Sequence, residues 1–512
     1  MSFITGFFDF ILSYLPGVIL LVFVSGLILL YVSDRHQVDH TLRRNYPVVG
    51  RLRYMFEEMG VFFRQYFFAQ DREEMPFNRA DRTWVYQAAK QESTLQAFGS
   101  TRLQQEGDVL FANSVFPFTG SEERQPQVFG PYCPNPYSTD KVFHISGMSF
   151  GAISKPAVQA LVAGAREAGV WINTGEGGAS TEHLQGGADV VFQIGTAKYG
   201  VRNLDGSLSE EKLKGVAENV NVKMFEIKLS QGAKPGKGGI LPADKVTAEI
   251  AAQRGIPKGI ASISPPTHQE IQSFDDIYTF IRRVRLITQK PVGIKLCVGN
   301  IGEFREMLSV LIKKASAASS DITDNQSQQK AYADVINDYA PDFITLDGGN
   351  GGTGAAPMSL IDAAGMNLQE SLPLVSNLLT ELNLKDRIKL VASGKLITPV
   401  DVAWALCAGA DVVTTARGFM FSLGCIQALQ CHKNTCPTGI TTHEKRLQSG
   451  LDPINKAVRV AAYAKEMHKE LETIAKCCGV SSPSKLSRKN ALIYTSNQHA
   501  KPMEEVYKTI TS

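Results

Sequence analysis

The chain is poor in cysteine, with eight in 512 residues. Five of them are scattered, at Cys133, Cys297, Cys407 and the adjacent Cys477 and Cys478. Such scatter does not make the disulfide framework of a small secreted protein, and it suits a reducing compartment. The other three, Cys425, Cys431 and Cys436, are spaced C-x5-C-x4-C and lack the C-x2-C pair of a zinc ribbon or thioredoxin-like site. Net charge is nearly absent at +3, which gives nucleic acid no case as the main partner. Repeats and low-complexity tracts are missing. Charge is missing altogether from Ile11 to Val32, ILSYLPGVILLVFVSGLILLYV.

That uncharged run is long enough to cross a bilayer as a helix. No Lys or Arg precedes it, and Arg35, Arg43, Arg44, Arg51 and Arg53 follow. The positive-inside rule then expects a single-pass anchor over residues 1–34, with the catalytic part in the cytoplasm. A cleaved signal peptide fits poorly: there is no basic leader, the run is too long, and no small-residue cleavage site follows. Next comes Tyr54–Phe68, YMFEEMGVFFRQYFF, aromatic and amphipathic. It suits either a membrane surface or a helix packed on the globular part.

Hydrophobic residues make up 44 % of the chain and charged ones 20 %, so a sizeable core is expected. From residue 142, short apolar runs alternate with helical patterns. Candidate strands are 142–146, 170–174, 190–194, 224–229, 292–296, 343–347, 388–393 and 412–416. Several are continuous β-branched or apolar runs, as in parallel strands buried on both faces. Helical patterns lie between them, as at 155–169, 304–316 and 399–409. The pattern predicts an α/β fold, a (β/α)8 TIM barrel over 141–445. A doubly wound open sheet is the alternative. A mixed N-terminal extension over 35–140 precedes the barrel, and a helical C-terminal extension over 446–512 follows it.

Gly-rich or polar clusters come just after these strands: SGMSFGAIS after the first, GEGGAS after the second, SQGAKPGKGG after the fourth, GGNGGTGAA after the sixth and SGK after the seventh. In a barrel those are loops of the face that carries active sites. Gly349 to Gly354 matches G-x-G-x-x-G, but no second strand ending in an acid follows, so nicotinamide binding by this motif is rejected. Ser393-Gly394-Lys395 and Ala416-Arg417-Gly418 follow strands seven and eight, where barrels often bind phosphate. The cysteine triad offers soft thiolate ligands suited to an iron–sulfur cluster. Incidental cysteines, or zinc with His432 or Cys407 as a fourth ligand, remain open.

Eight ordered segments resemble the flavin-binding synthase domain of glutamate synthase. They are MSFGAIS, NTGEGG, QGAKPGKGG, SPPTHQEI, IKL, DGGNGGTGAAP, ASGKLITPVDV and GCIQALQCHKNTCPTG, spanning about 145–445. The resemblance implies a barrel binding FMN and a [3Fe–4S] cluster. It implies reductive amination of 2-oxoglutarate to glutamate through 2-iminoglutarate. Cys425, Cys431 and Cys436, in the segment 424–439, would hold the cluster. Lys295 resembles the lysine at the flavin pyrimidine edge, and Gln231 another flavin contact. Met148, Ser149 and Gly151 resemble the loop lying against the flavin ring. Gly349, Gly351, Gly352, Gly394, Lys395, Arg417 and Gly418 complete the implied cofactor set. Lys234 resembles the lysine that binds the keto-acid carboxylate, and Glu176 a glutamate near the ammonia path. For Glu176, accepting N–H bonds within its own loop is the alternative.

Two departures bear on the substrate. The family pattern GAKPGEGGQLPG reads GAKPGKGGILPA here, which puts Lys237 for an acid and Ile240 for a glutamine. Lys198 stands where the family has an arginine, a point charge for a bidentate group. Neither the family's glutaminase domain nor its C-terminal β-helix has a counterpart. Ammonia is therefore expected from solution or a separate amidotransferase. Electrons are expected from a separate donor: ferredoxin, a reductase subunit or a membrane carrier. Two further functions stand beside glutamate formation. One is a flavin oxidoreductase acting on a different keto, imino or amino acid. The other is a membrane electron-transfer subunit without small-molecule turnover.

Overall fold

Strands buried on both faces need apolar side chains inside and out, and the eight runs supply them. The computed structural model describes residues 2–121, 125–496 and 499–508. The ends of the expected anchor and C-terminal extension, residues 1, 497–498 and 509–512, lie outside these. Eight parallel strands close into a barrel: β1 Phe143–Ile145, β2 Ile172–Asn173, β3 Val190–Ile194, β4 Val222–Lys228, β5 Val292–Leu296, β6 Phe343–Asp347, β7 Lys389–Ser393 and β8 Val412–Thr415. β8 pairs with β1 in register Val413 to Phe143, which shuts the sheet on itself. The open doubly wound alternative is thereby excluded.

The barrel interior is graded along its axis. At the N-terminal end Trp171, Val191, Met224, Phe343, Val391 and Val412 form an apolar layer with Phe129 and Tyr137. The last two come from an antiparallel hairpin, Gln127–Phe129 with Tyr137–Thr139, which plugs this end. Gly293 makes room for the plug: a Cβ there would lie 2.4 Å from the Phe343 ring. One layer up, Glu226 is buried and accepts from Asn173 at 2.8 Å, Gln193 at 2.6 Å and Thr345 at 2.5 Å. At the C-terminal end the strands carry Lys228, Lys295, Asp347 and Ser393 in their last two positions.

Helices cover the outside and start where the sequence caps them. Lys155–Ala168 begins with the Ser154 side chain accepting from the Ala157 N–H and ends at Gly169, in the left-handed region at φ 67°. Thr398 and Asp401 form a capping box for Pro399–Ala408. The long helix Pro453–Cys477 packs against Lys155–Ala168, where Gly164 lets the two approach. The C-terminal segment is not only helical. Ala491–Tyr494 pairs antiparallel with both Val109–Phe111 and Ala500–Pro502. Local pattern could not show the pairing with Val109–Phe111, which lies far away in sequence.

Residues up to Ala80 form a separate compact unit. It holds the helices Ser2–His36, Thr41–Asn45 and Gly50–Phe63, the last running into a π turn over Arg64–Phe68. Tyr14–His36 is long and apolar enough to span a membrane, and its most apolar stretch is unburied.

Candidate active site

The charged strand ends and the Gly-rich loops enclose an open cleft of about 1000 Å3, counting the space at its mouth. Of the residues singled out from sequence, Met148, Ser149, Glu176, Gln231, Lys295, Gly352, Gly394, Lys395, Arg417 and Cys431 line it. Gly151, Gly349, Gly351, Gly418, Lys234, Cys425 and Cys436 do not. Two of those glycines serve packing. A Cβ at Gly349 would meet the Gly365 carbonyl at 2.4 Å, and one at Gly418 the Tyr463 hydroxyl at 2.2 Å.

One wall is an ion network. Lys228 Nζ donates to Glu176 Oε2 at 3.0 Å and also to Gln231. Gln231 in turn donates to Thr353 at 3.0 Å. Burial works against the Glu176 charge, but Lys228, Lys234 and Arg254 outweigh it and hold the carboxyl below its usual range. Lys234 is buried, and burial pushes it down to about 8, with Glu176 opposing and Lys228 and Lys237 adding to the fall. Across the cleft Lys295 lies 3.5 Å from Asp347, which also accepts from Ser393 at 2.7 Å and from the Gly232 N–H at 2.8 Å.

Lys395 and Arg417 bring two further cations to the cleft. Gly394, at φ 137°, takes a conformation side chains rarely adopt, and Lys395 follows it at φ 54°. Arg417 folds over the sixth loop and donates to the Thr353 carbonyl at 2.5 Å. A Cβ at Gly352 would lie 2.9 Å from Arg417 Nε. The cleft thus brings together Lys395 and Arg417, the Lys295–Asp347 pair and the Lys228–Glu176 pair, with Thr353 accepting from both Gln231 and Arg417. That donor set fits a phosphorylated planar ring whose reduced form is anionic.

The cysteines share one loop beside the cleft. Arg417 Nη1 reaches Cys431 Sγ at 3.8 Å. Burial pushes Cys425 up to about 11, with Cys431 and Cys436 adding to the rise, so the three thiols act on one another. For Cys436, burial is overcome by hydrogen bonds from Thr438 and Thr441, and its pKa falls. Lys245, buried behind them, donates to the carbonyls of Cys431 at 2.9 Å and Ala152 at 3.1 Å. Among the described residues no three His, Cys, Asp or Glu side chains converge to hold a single ion. Cys407 sits inside the helix Pro399–Ala408 beside Cys478, and His432 is exposed.

One expectation needs correction. Lys198 does not reach the cleft: it is 1 % exposed and its Nζ lies 3.0 Å from Glu270 Oε2. The cation facing Glu176 from that side is Arg254, which donates to the Phe150 carbonyl at 3.2 Å. Sequence reading missed Lys228, Asp347, Arg254 and Lys245. Lys228 and Asp347 had a signal, being charges at the C-terminal ends of apolar strands. Arg254 and Lys245 had none, because they belong to an insertion in the fourth loop.

A family model described as a conserved region in glutamate synthase matches residues 85–481. The glutamate synthase large subunit-like protein YerD of Bacillus subtilis is 35 % identical, over 92 % of this chain and 95 % of its own. The archaeal glutamate synthase [NADPH] of Methanocaldococcus jannaschii is 32 % identical over 67 % of this chain, which spans 60 % of that relative's length. Among solved structures, the flavin-binding domain of baker's yeast flavocytochrome b2 aligns at 14 % identity with a TM-score of 0.44, over 85 % of this chain and 84 % of its own. The chain belongs to the glutamate synthase family, whose members are oxidoreductases acting on the CH–NH2 group of donors.

Proposed function

We propose that this chain binds FMN in the cleft and reductively aminates a 2-oxo acid with ammonia, 2-oxoglutarate to glutamate being the leading case. The observation that carries the reading is the set of groups gathered in one cleft, Gly394, Lys395 and Arg417 with Lys295 and the Lys228–Glu176 pair. Gly394, Lys395 and Arg417 hold the phosphate, and Lys295 faces the ring edge. Bound FMN, once reduced by two electrons from the external donor, would supply hydride to a carbon–nitrogen double bond. Condensation of the oxo acid with ammonia releases water and forms that bond. Lys228, in the cleft lining, holds a carboxylate, Lys234, buried out of that lining, adds its charge at longer range, and Glu176, kept ionised by both, is placed to take up or return a proton. Ile240 removes a hydrogen-bonding group that the resemblance expects, so a related keto acid is the second reading.

Cys425, Cys431 and Cys436 carry a three-iron cluster that passes single electrons from an external donor, such as ferredoxin, a reductase subunit or a membrane carrier. Three thiols on one loop, flanked by Arg417 and Lys245, support it. The exposed apolar helix Tyr14–His36, followed by arginines, supports a membrane anchor with the catalytic unit on the cytoplasmic side. The deciding experiment is turnover of the purified protein with a chemical reductant, ammonia and a panel of keto acids. Amino acid formed from 2-oxoglutarate is expected. Turnover of another keto acid alone selects the second reading. Flavin reduction and reoxidation with no amino acid formed from any member defeats the synthase proposal.

A further inference from the structure

Gly50–Phe68 carries an apolar surface that the first unit leaves open. At helical spacing Leu52, Met55, Phe56, Met59, Phe63 and Tyr66 fall on one side, and all but Leu52 are aromatic or methionine. Phe56 is 60 % exposed, Phe67 75 % and Phe68 74 %. Arg53, Glu57, Glu58 and Arg64 lie on the other side, and an Arg53–Glu57 pair at 3.0 Å sits in solvent. A soluble surface seldom leaves so many large apolar groups together without a partner.

The start of this helix is fixed to the end of the apolar one. Asp34, 1 % exposed, binds Arg51 at 2.7 Å and accepts the Val48 N–H at 2.9 Å. Arg35 donates to the Arg44 carbonyl at 3.1 Å, and Arg43 stacks over the Tyr54 ring at 4.6 Å. The aromatic helix therefore begins where the apolar helix Tyr14–His36 ends, at the arginine collar. Arg35, Arg44 and Arg53 remain exposed there.

We infer that Gly50–Phe68 is a second membrane element, lying in the headgroup layer of an anionic bilayer. Its aromatic side enters the acyl boundary, and Arg35, Arg44 and Arg53 meet anionic lipid headgroups. Aromatic rings favour that depth, where one end is apolar and the other wet. The inference rests on reading Tyr14–His36 as an anchor. A lipid surface is favoured over a second copy of the chain because the helix begins at the arginine collar where the apolar helix Tyr14–His36 ends.

The test uses the full chain with Phe67→Trp, and separately Phe68→Trp, in vesicles of phosphatidylcholine with or without phosphatidylglycerol. The unaltered protein supplies the background of its three native tryptophans. The new tryptophan is expected to shift its emission to the blue and lose intensity to lipids brominated near the carbonyl end of the acyl chain. Both effects are expected to be larger with phosphatidylglycerol, and Arg44→Gln with Arg53→Gln to remove that excess. Solvent-like emission at both positions in protein that sediments with the vesicles overturns the inference and leaves the anchor standing. So does a blue shift without bromine quenching, which marks a protein contact such as a second copy. Protein that fails to sediment with any vesicle overturns the anchor and the inference together.

Discussion

Lys295 and Lys234 are both buried lysines, yet the protein treats them differently. Lys295 has Asp347 as a fixed counter-ion at 3.5 Å. Removing it by Lys295→Ala leaves Asp347 facing the cleft unopposed, so FMN retention is expected to fall about tenfold or more. Equilibrium dialysis of FMN against the variant checks this. Lys234 is pushed down to about 8 by burial, from an ordinary 10.5. Between those values the folded chain holds fewer protons than the unfolded one, so Lys234 lets stability rise with pH across that window. Its charge is lost over the same window. KM for the keto acid is therefore expected to climb above pH 8, and Lys234→Arg to remove that limb, in pH-resolved steady-state kinetics. Changing any one of Cys425, Cys431 or Cys436 to Ser is expected to cost iron while flavin stays, because the flavin groups sit on other loops. Iron and flavin analysis of the same sample decides it.

At the scale of elements, the contact between Lys155–Ala168 and Pro453–Cys477 is the tightest test of packing. A Cβ at Gly164 would lie 2.5 Å from Val460 and 2.7 Å from the Ala457 carbonyl. Gly164→Ala is expected to destabilise by about 1–3 kcal/mol, as overpacking does. Val460→Ala in the same chain should return part of the loss, which denaturant unfolding of single and double variants would reveal. The strands were legible because they are mostly buried on both faces and several read as continuous apolar runs. Their ends were less so. β2 is ordered over Ile172–Asn173 only, and β4 starts two residues earlier than its apolar run. Within β4, Glu226 and Lys228 sit two apart in an apolar strand. That spacing points both side chains into the barrel, one to the polar layer and one to the cleft. The fourth-loop insertion was opaque: Lys245 and Arg254 reach the site through a fold of more than fifty residues that no local pattern describes.

For the whole molecule, the unit up to Ala80 and the barrel unit are separately compact. A chain lacking residues 1–36 is therefore expected to move from the membrane fraction to the soluble one while keeping its cofactors. Fractionation with flavin quantitation checks both halves of that statement. Full-length protein recovered in the soluble fraction at high salt would count against the anchor.

The closure of β8 on β1, with Pro453–Cys477 laid over Lys155–Ala168 and Val109–Phe111 paired to Ala491–Tyr494, sets an order of events during synthesis. On the ribosome, β1 emerges some 270 residues before the strand that seals its edge, and at about 5–20 residues per second the gap lasts tens of seconds. Through that interval the growing barrel presents a bare strand edge and an uncovered apolar helix. Such an intermediate is a natural client for a chaperone. Slow codons placed between β1 and β8 should lower the yield of folded protein more than the same codons placed after Tyr494.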